Sequence, residues 1–342
     1  MIIEKKILFI TGSYPPDVCG VGDYSERLFN ALKKHGGLFE LFYKKNWSLS
    51  SLFLYLKEIK SKKADLIHIQ YPTEGYGYSF LPLLLVAFLP KKKIIVTIHE
   101  LSNRTFKAKM FTMLLLFFSK KIIVTNETEY VYLKKLPILN RKETFIINIG
   151  SNIPRSKNCE NNILERKIDL AYFGHIRPIK GLESFIAVAN QFCDRKKCAI
   201  IGQNLVRYQS YLEELQNESA CIGYLLNGSV KETADNLSDC KIVYLPFPDG
   251  VSSRRGSLMA AALNGCVIVT TYSDEKEIND FFEKYCYLVH NEDEAEKIIA
   301  KLLNGNVCTD KNVSELMDLF SWEEISRKHF DVYFGKLTNN RL

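Results

Sequence analysis

Short β-branched runs, each followed by a turn and then a helical stretch, recur along this chain, and no other feature restricts its fold as strongly. In the first half, residues 6–11, 38–43, 65–70, 93–98, 121–125 and 144–148 read as strands. Residues 23–34, 48–60, 80–89, 105–119 and 127–136 read as helices between them. The strands are apolar almost throughout, as strands covered on both faces are, and repeated βα units imply a parallel, doubly wound sheet. A polar stretch without apolar periodicity, 154–167, reads as a linker. The pattern then restarts with strands at 168–173, 198–202, near 221–222, at 241–245 and at 267–271. Helices are expected at 181–192, 205–216, 229–237, 258–263, 293–303 and 322–333. The fold class is therefore α/β. Two Rossmann-like domains, 1–155 and 165–320, face each other across a cleft, and 321–342 forms a C-terminal helix. A length of 342 residues fits two such cores better than one.

The net charge of +7 favours anionic partners such as nucleotide phosphates or an acidic membrane surface. No nucleic-acid recognition motif is present. The nine cysteines (19, 159, 193, 198, 221, 240, 266, 286 and 308) include no CxxC pair and several sit in apolar runs. They read as buried free thiols, neither a disulfide framework nor a zinc site, in a cytoplasmic protein. The first residues enter a strand directly, with no signal peptide expected. The apolar runs 80–90 and 110–119 are too short to span a membrane. Helices 48–60 and 105–119 carry apolar stripes with lysines within or just after them (57, 60, 62, 63, 107, 109, 120 and 121). They either pack on the first sheet or dock the protein peripherally on an inner-membrane surface.

Candidate site residues gather where strands end. Gly20 and Gly22 precede the first helix, in a loop stiffened by Pro15-Pro16; they either let backbone approach a ligand or simply form a tight turn. His99 closes the strand KIIVTI, where a ligand on a doubly wound sheet binds; it either meets a substrate there or is a structural histidine bonded to a loop carbonyl. Glu100 follows it, and His68, inside a strand, reads as a core residue. In the second half, His175, Arg177 and Lys180 surround a loop ahead of the helix that starts at Gly181. Asp249 to Thr271 then reads as turn, helix and buried strand, with Gly256 and Ser257 at the helix start and Arg254 and Arg255 just before it. Free backbone N–H groups, the helix dipole and guanidinium groups coincide there, so the stretch is either an anion site or an ordinary βαβ connection with a solvated basic turn. Two cationic loops on one sheet edge would clamp a diphosphate.

The segment FGHIRPIKGLE resembles the family-4 retaining glycosyltransferases of the GT-B, two-Rossmann-domain type. The opening ILFITGSYPPDVCGVGDYSERLFNAL, then VTIHE, IINIGSNIP, AALNGCVIVTT and the closing FSWEEISRKHFDVY follow the family's order, so the likeness covers nearly the whole chain. It implies that the last helix crosses back onto the first domain. It places Gly20 and Gly22 by the donor phosphates or the acceptor, His99 beside the transferred sugar and Lys180 on the diphosphate. The family carries arginine directly after the loop glycine. Here Gly174 is followed by His175, and Arg177 takes the arginine's part. The family's two glutamates are missing, their positions being Ser252 and Ala260. Asp249, Ser253, Arg254, Arg255 and Ser257 stand in for them at the ribose.

The resemblance implies transfer of a sugar from a nucleotide-sugar to a hydroxyl of a glycan or polyprenyl-linked acceptor, in bacterial cell-surface polysaccharide synthesis. Retention is expected, with no cofactor and no metal; no Asp-x-Asp motif occurs. A nucleotide-sugar epimerase or hydrolase, or a non-catalytic glycan-binding or scaffold member, are the alternatives. An inverting enzyme would use Asp17, Asp23 or Glu100 as base.

Overall fold

The computed structural model describes residues 5–17, 19–137, 142–160, 162–305 and 309–336. The chain separates into two compact units: the first runs to Ile149 and takes back the chain from Trp322 onward, and the second is Gly150–Ser321.

Six parallel strands form the sheet of the first unit: β1 Lys6–Thr11, β2 Leu38–Tyr43, β3 Leu66–Tyr71, β4 Ile94–Ile98, β5 Lys121–Val124 and β6 Glu143–Ile146, in the order β2-β1-β3-β4-β5-β6. Its helices are α1 Gly20–Lys33, α2 Leu52–Ser61, α3 Leu81–Phe88, α4 Phe106–Phe117 and α5 Glu127–Lys134. Alternation along β1 sends Leu8 and Ile10 to one face, with α2, α3 and α4, and Ile7 and Phe9 to the other, with α1. This second face is completed by the chain's last helix, whose Ile325, Val332 and Tyr333 are buried against it.

The sheet of the second unit comprises β7 Ile168–Ile176, β8 Cys198–Asn204, β9 Gly223–Leu226, β10 Cys240–Leu245, β11 Val267–Thr271 and β12 Tyr287–Val289, in the order β12-β11-β10-β7-β8-β9. It is again parallel throughout. Helices α6 Leu182–Asn190, α7 Gln209–Glu218, α8 Val230–Ser238, α9 Gly256–Leu263, α10 Lys276–Phe282, α11 Glu292–Asn304 and α12 Val313–Leu319 flank it, and α13 Trp322–Phe334 returns to the first unit. The α/β class expected from the βα recurrence is the one observed.

Four expectations need correction. Helix α1 begins at Gly20, not at 23, because Cys19 is the extended N-cap residue and first-turn N–H groups lack helical partners in any case. Gly20 and Gly22 are thus helical. Secondly, α10, β12 and α12 were not expected; each is three to seven residues long, too short for apolar periodicity to mark. Thirdly, 154–167 is not a free tether. Ser156 donates its backbone N–H to Asn264 Oδ1 (2.9 Å) and its hydroxyl to Asp235 (2.6 Å). Buried Arg166 donates from Nη1 to the carbonyls of Cys240 (2.8 Å) and Asn264 (3.1 Å). Polar anchoring of this kind leaves no hydrophobic rhythm. Arg166→Ala should lower stability by about 3 kcal/mol, since two buried carbonyls lose charged donors; urea unfolding of the variant would check it. Fourthly, Cys193 and Cys221 are joined in a disulfide, with Cα atoms 5.7 Å apart, so the uniform free-thiol reading fails. The pairing depends on β9 lying beside β8, which cysteine spacing does not reveal. Cys19, Cys159, Cys198, Cys240, Cys266 and Cys286 are buried free thiols, and Cys308 lies outside the described residues.

Candidate functional site

The strand order of the second sheet reverses between β7 and β10, and a doubly wound sheet binds ligands outside the carboxyl ends of its strands at that point. A cavity of 410 Å³ opens there. It is lined by Gly174 and His175 from β7, Gly202 and Gln203 from β8, Phe247 after β10, Lys180 from the loop before α6, and Arg254 to Ser257 at the start of α9. The lining holds one lysine, two arginines and one histidine, and no carboxylate.

Local geometry fixes these groups. Gly181 adopts φ +76°, and a Cβ there would fall 1.9 Å from the carbonyl oxygen of Pro246, so only glycine lets the Lys180 loop close over β10. At Gly256, by contrast, an added Cβ would meet nothing within 4 Å. Backbone lies bare at the start of α9, a helix with no acidic residue in its first turn, and its first N–H groups face an approaching anion. Arg255 is braced: it pairs with Asp249, donates to the Gly250 carbonyl (3.3 Å) and stacks on Phe247 with its guanidinium 4.8 Å from the ring centre. Asp249 belongs to the site through this pair rather than by lining it. Burial and then the charges of Arg177 and Arg255 hold the Lys180 ammonium below its ordinary pKa. Burial, Arg177 and Lys180 do the same to His175. Cations held together against their own repulsion are the arrangement a polyanion relieves.

Arg177 does not line the cavity, yet stands close enough to act on both neighbours, and its buried Nε has no hydrogen-bond partner among the described residues. Ser253 is buried, and Ala260, at the second glutamate position of the resembled family, has no exposed surface and belongs to the core of α9. Sequence reading missed Tyr172, Gln203, Thr233 and Phe247. They carry no motif. Only their nearness to strand ends or to a helix beside the switch point marks them.

His99, Gly20 and Gly22 lie in the first unit. Gly20 is exposed, whereas Gly22 is buried, with a Cβ position 3.3 Å from Ser13. Half-buried His99 sits edge-on to Tyr24, ring centres 4.7 Å apart. Its Nε2 donates to Gln70 Oε1 (2.9 Å), which leaves Nδ1 as the lone-pair nitrogen. Gln70 Nε2 in turn donates to His68 Nε2 (3.2 Å), which also accepts from Thr97 (2.7 Å), and His68 Nδ1 donates to Tyr333 (2.6 Å). Desolvation, and after it the charge of His329, push His99 down to about 3, so its imidazole is neutral across the physiological range. Of the alternative bases, Asp17 accepts from Tyr43 (2.6 Å), Asp23 is exposed in the first turn of α1, and Glu100 is exposed beside His99.

No protein-family model and no curated protein sequence matches this chain. Solved structures do match it over nearly its full length. A glycosyltransferase from Rickettsia africae superposes with a TM-score of 0.65 at 14% identity, covering 98% of this chain and 100% of that one. Sucrose-phosphate synthase from Thermosynechococcus elongatus gives 0.64 at 16% (97% and 99%). HepE from Anabaena, in complex with UDP, gives 0.62 at 16% (96% and 100%). The chain has a GT-B fold. Within this GT-B chain the candidate residues fall into two sets, the cationic cavity of the second unit and the His99 network of the first.

Proposed function

We propose that this chain is a glycosyltransferase whose second unit binds the nucleoside diphosphate of a sugar donor. The cavity at the β7/β10 switch point carries the reading, because it is cationic, free of carboxylates and backed by a helix N-terminus. The UDP complex of its structural neighbour HepE favours the same ligand class. In this reading Lys180, Arg255 and the N–H groups at Gly256 and Ser257 hold the diphosphate, and Arg177, set back from the cavity wall, adds its charge from behind them. His175, Gly174, Asp249, Ser253 and Arg254 shape the same pocket. As the bond from the anomeric carbon to the diphosphate breaks, its electron pair goes to the phosphate oxygen, and the fixed cations stabilise the charge that grows there without a metal. The acceptor hydroxyl attacks from the leaving-group face, with retention, and gives its proton to the departing diphosphate. His99, neutral and with its Nδ1 lone pair free for a sugar hydroxyl, orients the donor sugar. The acceptor is a glycan or polyprenyl-linked glycan of a bacterial surface polysaccharide, reached from an inner-membrane surface.

Calorimetric titration with UDP, ADP and GDP tests the donor site. At a hundredfold excess over its dissociation constant, the preferred nucleotide should add about 2.7 kcal/mol to stability. If none of them binds, the site assignment fails. Burial of Ala260 in place of a ribose-gripping glutamate favours one competing reading, a non-catalytic glycan-binding member. Turnover of any nucleotide-sugar that depends on Lys180 excludes it.

A further inference from the structure

A second cavity, of 590 Å³, lies between α3 and α4 in the first unit. Phe80, Leu83, Phe111 and Leu115 wall it, with the rings of Phe80 and Phe111 set edge to face at 4.4 Å. Glu100, Arg104 and Lys107 form its polar end. The guanidinium of Arg104 sits 5.6 Å from the ring centre of Tyr71, and neither Arg104 nor Lys107 pairs with a carboxylate among the described residues. This end adjoins the His99 network: His99 donates its backbone N–H to the Tyr71 carbonyl (2.9 Å), and Glu100 is the next residue.

The outer side of α4 is apolar as well. Thr112, Leu115 and Leu116 pack inward, yet Phe106 (79% exposed), Met110 (41%), Leu114 (43%) and Phe117 (46%) form one stripe turned to solvent. Exposed Lys107 borders it, and Lys91 lies 4.6 Å from the ring centre of Phe117. A helix in water keeps one polar face. One that is apolar on both, beside an apolar cavity and under basic side chains, matches an amphiphile with an anionic head.

We propose that this cavity holds the head-proximal part of the apolar chain of a phosphate-bearing lipid, with Arg104 and Lys107 on the phosphate and the α4 stripe toward the lipid phase. The head then lies at the carboxyl ends of β3 and β4, next to His99. As the identity of the acceptor, this rests on the transfer reading above. As a binding site, it is tested without it.

The test measures farnesyl monophosphate, farnesol and inorganic phosphate binding to the full chain by calorimetry, with co-sedimentation on phosphatidylglycerol vesicles in parallel. Farnesyl monophosphate should bind about tenfold or more tighter than either fragment, because chain and head are both recognised. Ala108→Phe fills the cavity, and Lys107→Glu alters only an exposed side chain, so the second variant stands even if the first folds poorly. Each should weaken farnesyl monophosphate binding about tenfold and leave UDP affinity unchanged. Wild-type affinity in Lys107→Glu and in a folded Ala108→Phe overturns the proposal. Vesicle binding that survives both variants and disappears only in Phe106→Ser/Leu114→Ser overturns it too, since that is adsorption to a bilayer without a cavity. UDP affinity, read on the same samples, judges the donor site separately.

Discussion

Lys180→Ala is expected to cut sugar transfer about 10²–10³-fold, chiefly in kcat, with a smaller change in KM. Lys180 lies half-buried on a loop that Gly181 holds against Pro246, so its backbone has little freedom to lose on meeting a ligand. Its ordinary pKa is lowered by burial and by Arg177 and Arg255, which places three cations within mutual influence. Ground-state binding is shared among them. The charge that appears as the diphosphate departs falls on whichever cation stands nearest the breaking bond, and that part cannot be shared. Single-turnover measurements at saturating donor separate the two contributions. A raised KM with unchanged kcat would make Lys180 a ground-state contact only. No change in either would remove it from the site. Lys180→Arg should recover part of the rate, since charge returns without the ammonium's position.

The chain should also lose about 4 kcal/mol of stability between pH 7.5 and 5.5 from three histidines alone. His68 and His329 are fully buried, His99 is half-buried, and desolvation lowers all three, His99 to about 3 and His329 to about 4. Their polar partners are Tyr24, Thr97, Gln70, Tyr333 and the Ile325 carbonyl; the carbonyl raises His329 a little against desolvation, and none of them carries a compensating negative charge. The native state therefore binds no proton at these sites over that range, while the unfolded chain takes up three as pH falls through about 6.5. Stability is thus full above the unfolded value and falls with acid, by about 1.4 kcal/mol per histidine per pH unit once well below it. Urea denaturation at pH 7.5, 6.5 and 5.5 reads the slope. His329→Gln should reduce it by one third. A midpoint that does not move between pH 7.5 and 5.5 would mean that the histidines are protonated in the fold.

The two sheets were legible because parallel strands buried on both faces are written as unbroken apolar runs, such as KILFIT and KIIVTI. Lys180 and the Gly256 turn stood out because cationic side chains ahead of a helix start add to the anion-binding property of the helix N-terminus. The partners that brace them were not legible. Phe247 under Arg255 is a contact folded within one loop, and Pro246 against Gly181 joins two loops 65 residues apart; neither residue type signals them. His68, inside a strand, reads as a core histidine, and it is buried; its link through Gln70 to His99 depends on the register of β3 against β4, which pairs Gln70 with Thr97. The short elements α10, β12 and α12 escaped for want of length, and the docked stretch 154–167 because hydrogen bonds, not burial of apolar stripes, hold it.

Helix α13 brings one more consequence, for biosynthesis. During translation the first six strands leave the ribosome with this face only partly covered, by α1, because Ile325, Val332 and Tyr333 are made about three hundred residues after Ile7 and Phe9. The intervening unit, by contrast, is contiguous and complete before them. The part synthesised last but one should thus mature first, and the nascent amino-terminal half should wait, sticky and in need of a chaperone, for the end of its own message.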